Sequence, residues 1–165
     1  MKKSKNTLYA ISFVIILMGV GGYFFYSTQN NSALEKPVEV VEVKTAADEL
    51  GPNETKFDAD NFDKEVLESD KPVLVDFYTS TCGHCIQSAP IFTETSNLLE
   101  DQVKFGKLEI RKNREYIDKY KIEGTPTFVL FKDGKEVARR EGGNVTVEDF
   151  KTFINTSLNK NTPAA

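Results

Sequence analysis

The chain has 165 residues, 21 of them basic and 25 acidic, for a formal net charge of −4 and a pI near 5.2. That is room for one ordinary domain with accessories, and the mild acidity argues against a polyanion such as nucleic acid as partner. At 39% hydrophobic and 28% charged residues the composition is that of a folded domain, which excludes collagen-like, disordered and multi-span membrane classes. Two cysteines are too few for a stapled scaffold, and a single histidine leaves too few ligands for a zinc centre.

Charge divides the chain into parts. Residues 1–26 hold Lys2, Lys3 and Lys5 and no acid, and Leu8 to Tyr26 is a 19-residue uncharged run. At 1.5 Å per residue such a run just crosses a hydrocarbon core of about 30 Å. Its alternative is the apolar part of a cleaved signal peptide, but no A-x-A site follows. Residues 8–26 therefore predict a membrane anchor, and the lysines before it predict a cytoplasmic N-terminus with the remainder outside. Under either reading the domain is exported.

Residues 27–55 carry two lysines against six acids, with Pro37 and Pro52, and predict a flexible acidic linker with a reach of roughly 30 Å. The domain proper is expected over 56–160, with 161–165 a disordered tail. Within it, Asp58 or Asp60 can cap a short helix carrying Phe62, Val66 and Leu67. A buried strand follows at Val73–Tyr78, then a helix from about Cys82 to Leu99 interrupted by Pro90, which should kink it. A strand at Val103–Ile110 leads to a helix around Arg114–Tyr120. Phe128–Phe131, Asp133-Gly134 and Glu136–Ala138 predict a hairpin turning at Asp-Gly. The last helix should start near Thr146 and bury Val147, Phe150, Phe153, Ile154 and Leu158. The order β-α-β-α-β-α-β-β-α implies an α/β fold, a mixed sheet flanked by helices.

Cys82-Gly83-His84-Cys85 falls at the junction of a buried strand and a helix. Free N–H groups and the helix dipole there should lower the Cys82 pKa and make it a nucleophilic thiolate. Cys85, one turn further in, is placed to resolve a mixed disulfide on Cys82. His84 can set a positive charge near the Cys82 sulfur, stabilising the reduced pair. The competing structural disulfide would close only a tiny loop and contribute little stability. Asp76 interrupts an apolar strand six residues before Cys82. It either faces water or is a buried carboxyl with a raised pKa that exchanges a proton with Cys85. Lys107 on the next strand is a candidate charge partner, with a surface lysine as the alternative.

From Thr55 to Leu158 the pattern resembles a thioredoxin domain. The resemblance is carried by Val73–Phe77, Cys82–Cys85, Ala89-Pro90, Lys107-Leu108, Gly124–Phe128, Lys132–Gly134 and Gly142-Gly143, in matching order and spacing. It implies the thioredoxin fold, Asp76 as the buried acid and Lys107 as its partner. It implies further that Thr125-Pro126 is a cis peptide whose Thr125 backbone pairs with an extended substrate, and that Gly142 and Gly143 wall that groove. The sequence departs from thioredoxins at Thr81 and His84, which stand where Trp and Pro are usual. The Gly-His pair is similar to protein disulfide isomerase, and the anchor-plus-domain layout to bacterial membrane-tethered thioredoxin-like proteins, some of which oxidise and some of which reduce.

The expected function is thus extracytoplasmic thiol–disulfide exchange with exported proteins, leaning to oxidation or isomerisation, by a monomer. It should need no cofactor beyond the Cys82–Cys85 disulfide and no metal, and a membrane redox partner should reset the pair. The alternatives are a membrane-fed reductant and a binding or adaptor module with an inert disulfide.

Overall fold

A computed structural model describes residues 44–160; the expected anchor over 8–26, most of the expected linker and the tail at 161–165 lie outside them. Among the described residues no helix is long and apolar enough to cross a membrane. The elements are β1 (Glu54–Phe57), a single π-helical turn α1 (Asp63–Leu67), β2 (Val73–Tyr78), α2 (Gly83–Leu99), β3 (Lys104–Glu109), α3 (Glu115–Tyr120), β4 (Thr127–Lys132), β5 (Lys135–Glu141) and α4 (Val147–Lys160). Five strands form one sheet in the order β1-β3-β2-β4-β5. β1, β3 and β2 run parallel, and β4 and β5 are antiparallel.

Two sequence expectations are corrected. The linker expected to reach residue 55 stops earlier: Ala47 is buried, and β1, the leading strand of the expected order, starts at Glu54. The short helix after Asp58 is instead a π turn with no side-chain cap at Phe62. Asp58 spends its carboxylate one step earlier, accepting from the Asp60 and Asn61 N–H groups in a local turn.

All six residues of β2 are buried, because β2 is central and covered on both faces. Its alternate residues split between two cores. Val73, Val75 and Phe77 face a cluster with Phe57, Phe62, Val66, Leu108, Tyr116 and Phe131, closed by α1 and α3. Leu74 faces Phe92, Phe105, Phe128, Phe150 and Ile154, closed by α2 and α4. Asp76 shares the parity of Leu74 and Tyr78, so the chain sends a carboxyl to the α2 face. The β4–β5 hairpin turns at Asp133 (φ 53°) and Gly134 (φ 73°), the two left-handed residues that a two-residue hairpin of matching twist demands. Thr146 caps α4 reciprocally: its hydroxyl accepts from the Asp149 N–H, and the Asp149 carboxylate accepts from the Thr146 N–H. Of the residues expected on its buried stripe, Phe150 and Ile154 are fully covered, while Val147, Phe153 and Leu158 are half-buried.

Candidate active site

β2 delivers the chain to the sheet end, and Cys82 occupies the N-cap of α2 with extended backbone (φ −81°, ψ 119°). Its thiol lies among the unsatisfied N–H groups of the first turn, where an anion is favoured. Cys82 is half-buried, Cys85 is buried, and the two are unbridged. They titrate in opposite directions. Partial desolvation pushes Cys82 up, but hydrogen bonds from the Cys85 side chain and N–H, from Thr125 and from the His84 N–H outweigh it, and the net shift is downward. Burial pushes Cys85 up to about 12, with a smaller contribution from the Asp76 charge. The half-buried thiol is thus the more readily ionised of the two and the buried one the less.

Across from the helix, Thr125-Pro126 is a cis peptide, and Cys82 Sγ lies 3.3 Å from the Thr125 carbonyl. The Gly142 N–H donates to the Pro126 carbonyl at 2.9 Å. Gly142 has φ 88°, and a Cβ on Gly143 would stand 2.4 Å from the His84 carbonyl, so both positions need glycine. The structure therefore gathers Cys82, Cys85, His84, Thr125, Pro126, Gly142 and Gly143 around one surface sulfur. His84 is exposed, and its backbone N–H is among the groups that lower the Cys82 pKa, a contribution the sequence did not point to.

Below the thiols lies Asp76, 2% exposed, its Oδ1 buried without a partner among the described residues. Desolvation raises its pKa to about 7 against the opposing pull of Lys107, with Glu54 and Cys82 adding to the rise. Lys107 is the register partner of Asp76 across β2–β3 and equally buried. Its ammonium, however, pairs with Glu54 Oε2 at 3.1 Å and donates to the Glu49 carbonyl at 2.9 Å. The expectation that Lys107 is the partner of Asp76 is corrected to that extent.

Sequence reasoning missed Glu54 and the strap before it. Ala47 packs on Cys85 and Tyr78, the Thr45 hydroxyl donates to the Ser80 carbonyl, and the Tyr78 hydroxyl donates to Asp48. The signal was thin: β1 is four residues, Glu54-Thr55-Lys56-Phe57, with a single apolar side chain, at the end of a segment whose overall charge reads as solvated.

The family model described as thioredoxin matches residues 53–156. The chain belongs to the thioredoxin family. It is 46% identical over 99 residues to thioredoxin Y1, chloroplastic, of Arabidopsis thaliana, covering 60% of this chain and 57% of that protein. Identity to a thioredoxin of Acidithiobacillus ferridurans is 42% over 99 residues, covering 60% of this chain and 91% of the other. A protein disulfide isomerase-like 2-2 of Oryza sativa subsp. japonica is 37% identical over 98 residues, 58% of this chain and 26% of that one. The chain spans about half the length of the chloroplastic thioredoxins it matches.

Proposed function

We propose that this thioredoxin-family chain is an extracytoplasmic thiol–disulfide oxidoreductase that exchanges disulfides with exported proteins through Cys82 and Cys85. The opposite environments of the two thiols carry the reading. In the oxidising direction a client thiolate attacks Cys82 of the Cys82–Cys85 disulfide, forming the client–Cys82 bond and expelling Cys85 as a thiolate, which takes the proton of the Asp76 carboxyl. A second client thiolate then attacks the client sulfur, closing the client disulfide and releasing Cys82. Two electrons and the client's disulfide-forming thiols thereby balance against the reduced pair. Thr125 and Pro126 hold the client backbone beside Cys82, and Gly142 and Gly143 bound the groove.

Direction follows from which form of the pair is favoured. Hydrogen bonds that lower the Cys82 pKa stabilise the dithiol, raise the reduction potential and favour passing the disulfide on to clients. This supports oxidation or isomerisation, with a membrane redox partner restoring the disulfide. Export rests on the uncharged run over 8–26 and the lysines that precede it.

Trapping tests the reading. Cys85→Ala should accumulate mixed disulfides with clients, since Cys82 then has no resolver, while Cys82→Ala should accumulate few; equal trapping would overturn the assignment. Alkylation in living cells should find the wild-type pair mainly oxidised, and protease added to intact spheroplasts should remove the domain. A pair held reduced at steady state would establish the reductant instead.

A further inference from the structure

The α2 face of the sheet buries an ion pair beside Asp76 that the exchange chemistry itself leaves unused. The Glu54 side chain has no exposed surface, and Lys107 has 1%. Four contacts from separate parts of the chain fix the pair. Glu54 Oε1 accepts from the Thr93 hydroxyl of α2 at 2.6 Å, and Oε2 accepts from the Gly51 N–H at 3.1 Å. Lys107 Nζ meets Glu54 Oε2 at 3.1 Å and the Glu49 carbonyl at 2.9 Å. Its remaining side faces the Phe92 ring, 5.7 Å from the centroid.

Asp76 is left out of this network. It stands opposite Lys107 in the β2–β3 register, yet its Oδ1 has no partner among the described residues. A lysine between two buried carboxylates gains most by pairing with the one that also has other donors, because that carboxylate is already held ionised. Here the Thr93 hydroxyl and the Gly51 N–H give Glu54 that advantage. The groups that face Asp76 are Lys107 from β3, Glu54 from β1, Cys82 and Cys85 from α2 and Tyr78 on its own strand; β4 opposes it with Phe128, which carries no charge.

We propose that Glu54 is a positioning residue of the dithiol site: by holding the Lys107 ammonium against itself and the Glu49 carbonyl, it keeps Lys107 from closing an ion pair with Asp76 and so leaves the Asp76 carboxyl free to take and return the Cys85 proton. The proposal rests on the exchange reading above. Without Glu54 the ammonium would turn to Asp76, hold it ionised and remove it as a proton donor at neutral pH.

The test is a titration of the Asp76 carboxyl in the reduced full chain, followed by NMR of carboxyl-labelled aspartate. In Glu54→Gln, which keeps the shape and an acceptor for Thr93, the midpoint should fall from about 7 by about one unit or more. Glu54→Asp keeps the charge but is too short to hold both Thr93 and Lys107; it should move the midpoint the same way, and it keeps the question answerable if Glu54→Gln does not fold. In a Lys107→Met background Glu54→Asp should leave the midpoint unmoved, and Glu54→Gln should lower it only by the smaller amount that loss of the Glu54 charge itself produces. The pH dependence of mixed-disulfide resolution should move with the midpoint, whereas a purely structural role would lower thermal stability alone. An unmoved midpoint in the Glu54 variants overturns the proposal, as does an equal fall when Lys107 is absent, which would assign the effect to the field of Glu54 alone. Exchange of wild type with oxidised glutathione is scored separately: its absence would defeat the exchange reading while leaving the titration to decide what Glu54 does to Asp76.

Discussion

The two faces of the sheet are built on opposite terms. On one, Phe57, Phe62, Phe77, Tyr116, Tyr120 and Phe131 meet in edge-on, tilted and stacked contacts 4.7–6.3 Å apart, and burial pushes the pKa of both tyrosines further above neutral. On the other, a similar cluster around Phe92, Phe128 and Phe150 fills only part of the space. The rest is given to Asp76, Lys107 and Glu54, three ionisable groups that are costly to bury. The difference teaches a division of labour: one face holds the sheet together, and the other accepts a loss of stability by burying ionisable groups beneath Cys85, which under the proposed function keeps a proton exchangeable there.

Substitution at the aromatic face should break this comparison most visibly if it is wrong. Phe62 is fully buried against five other rings, so Phe62→Ala should cost about 3–5 kcal/mol in chemical denaturation. The alkylation midpoint of Cys82 should stay where it is in the folded variant. A moved thiol midpoint would mean that the two faces are coupled and the division is false.

Asp76→Asn probes the other face with a smaller effect of opposite sign. The folded carboxyl titrates at about 7, well above an unfolded aspartate near 3.9. The folded state therefore binds the extra proton between those values, and this contribution is full below about pH 4 and lost as pH rises through 7. Asparagine has no charge to bury, so the variant should be more stable than wild type at pH 8 by roughly 1–3 kcal/mol, allowing for a buried amide with an unmet hydrogen bond. At pH 4 the advantage should vanish. The same variant should resolve mixed disulfides more slowly around neutrality. Equal stability at both pH values would show that Asp76 does not carry the charge burden assigned to it.

This contrast also explains what could be read from the sequence. Alternation and turn chemistry mark β2, the Asp133-Gly134 hairpin and α4 because each obeys a local rule: a buried run, two left-handed residues, a reciprocal cap. The CGHC run and Asp76 were legible as anomalies, residue types in places where burial or export makes them expensive. Glu54 was not. Its charge is tolerated only because Thr93, Gly51 and Lys107 converge on it from 39, 3 and 53 positions away in the chain, and no window of sequence contains that convergence. The strap over Cys85 was hidden for the same reason, since Ala47 looks like any linker residue until Tyr78 and Cys85 are beside it.

The finest sharpening concerns His84, where the sequence points to the ring and the structure adds the backbone N–H. The ring is exposed, and a charge held in solvent beside Cys82 is screened by water and salt. The N–H of His84, by contrast, is fixed by the first turn of α2 and is among the hydrogen bonds that lower the Cys82 pKa. Two variants separate the contributions. His84→Ala deletes the imidazole and keeps the N–H; His84→Pro deletes both, at a first-turn position where proline fits the helix. His84→Pro should therefore raise the Cys82 pKa and make the pair more reducing by some tens of millivolts, with 30 mV equal to about 1.4 kcal/mol for two electrons. His84→Ala should produce less than half of that change. Equilibration with glutathione reports the potentials, and alkylation rate against pH reports the thiolate. Equal shifts in the two variants would return the tuning to the imidazole, and an unshifted His84→Pro would remove residue 84 from the account of how the Cys82 thiol is tuned.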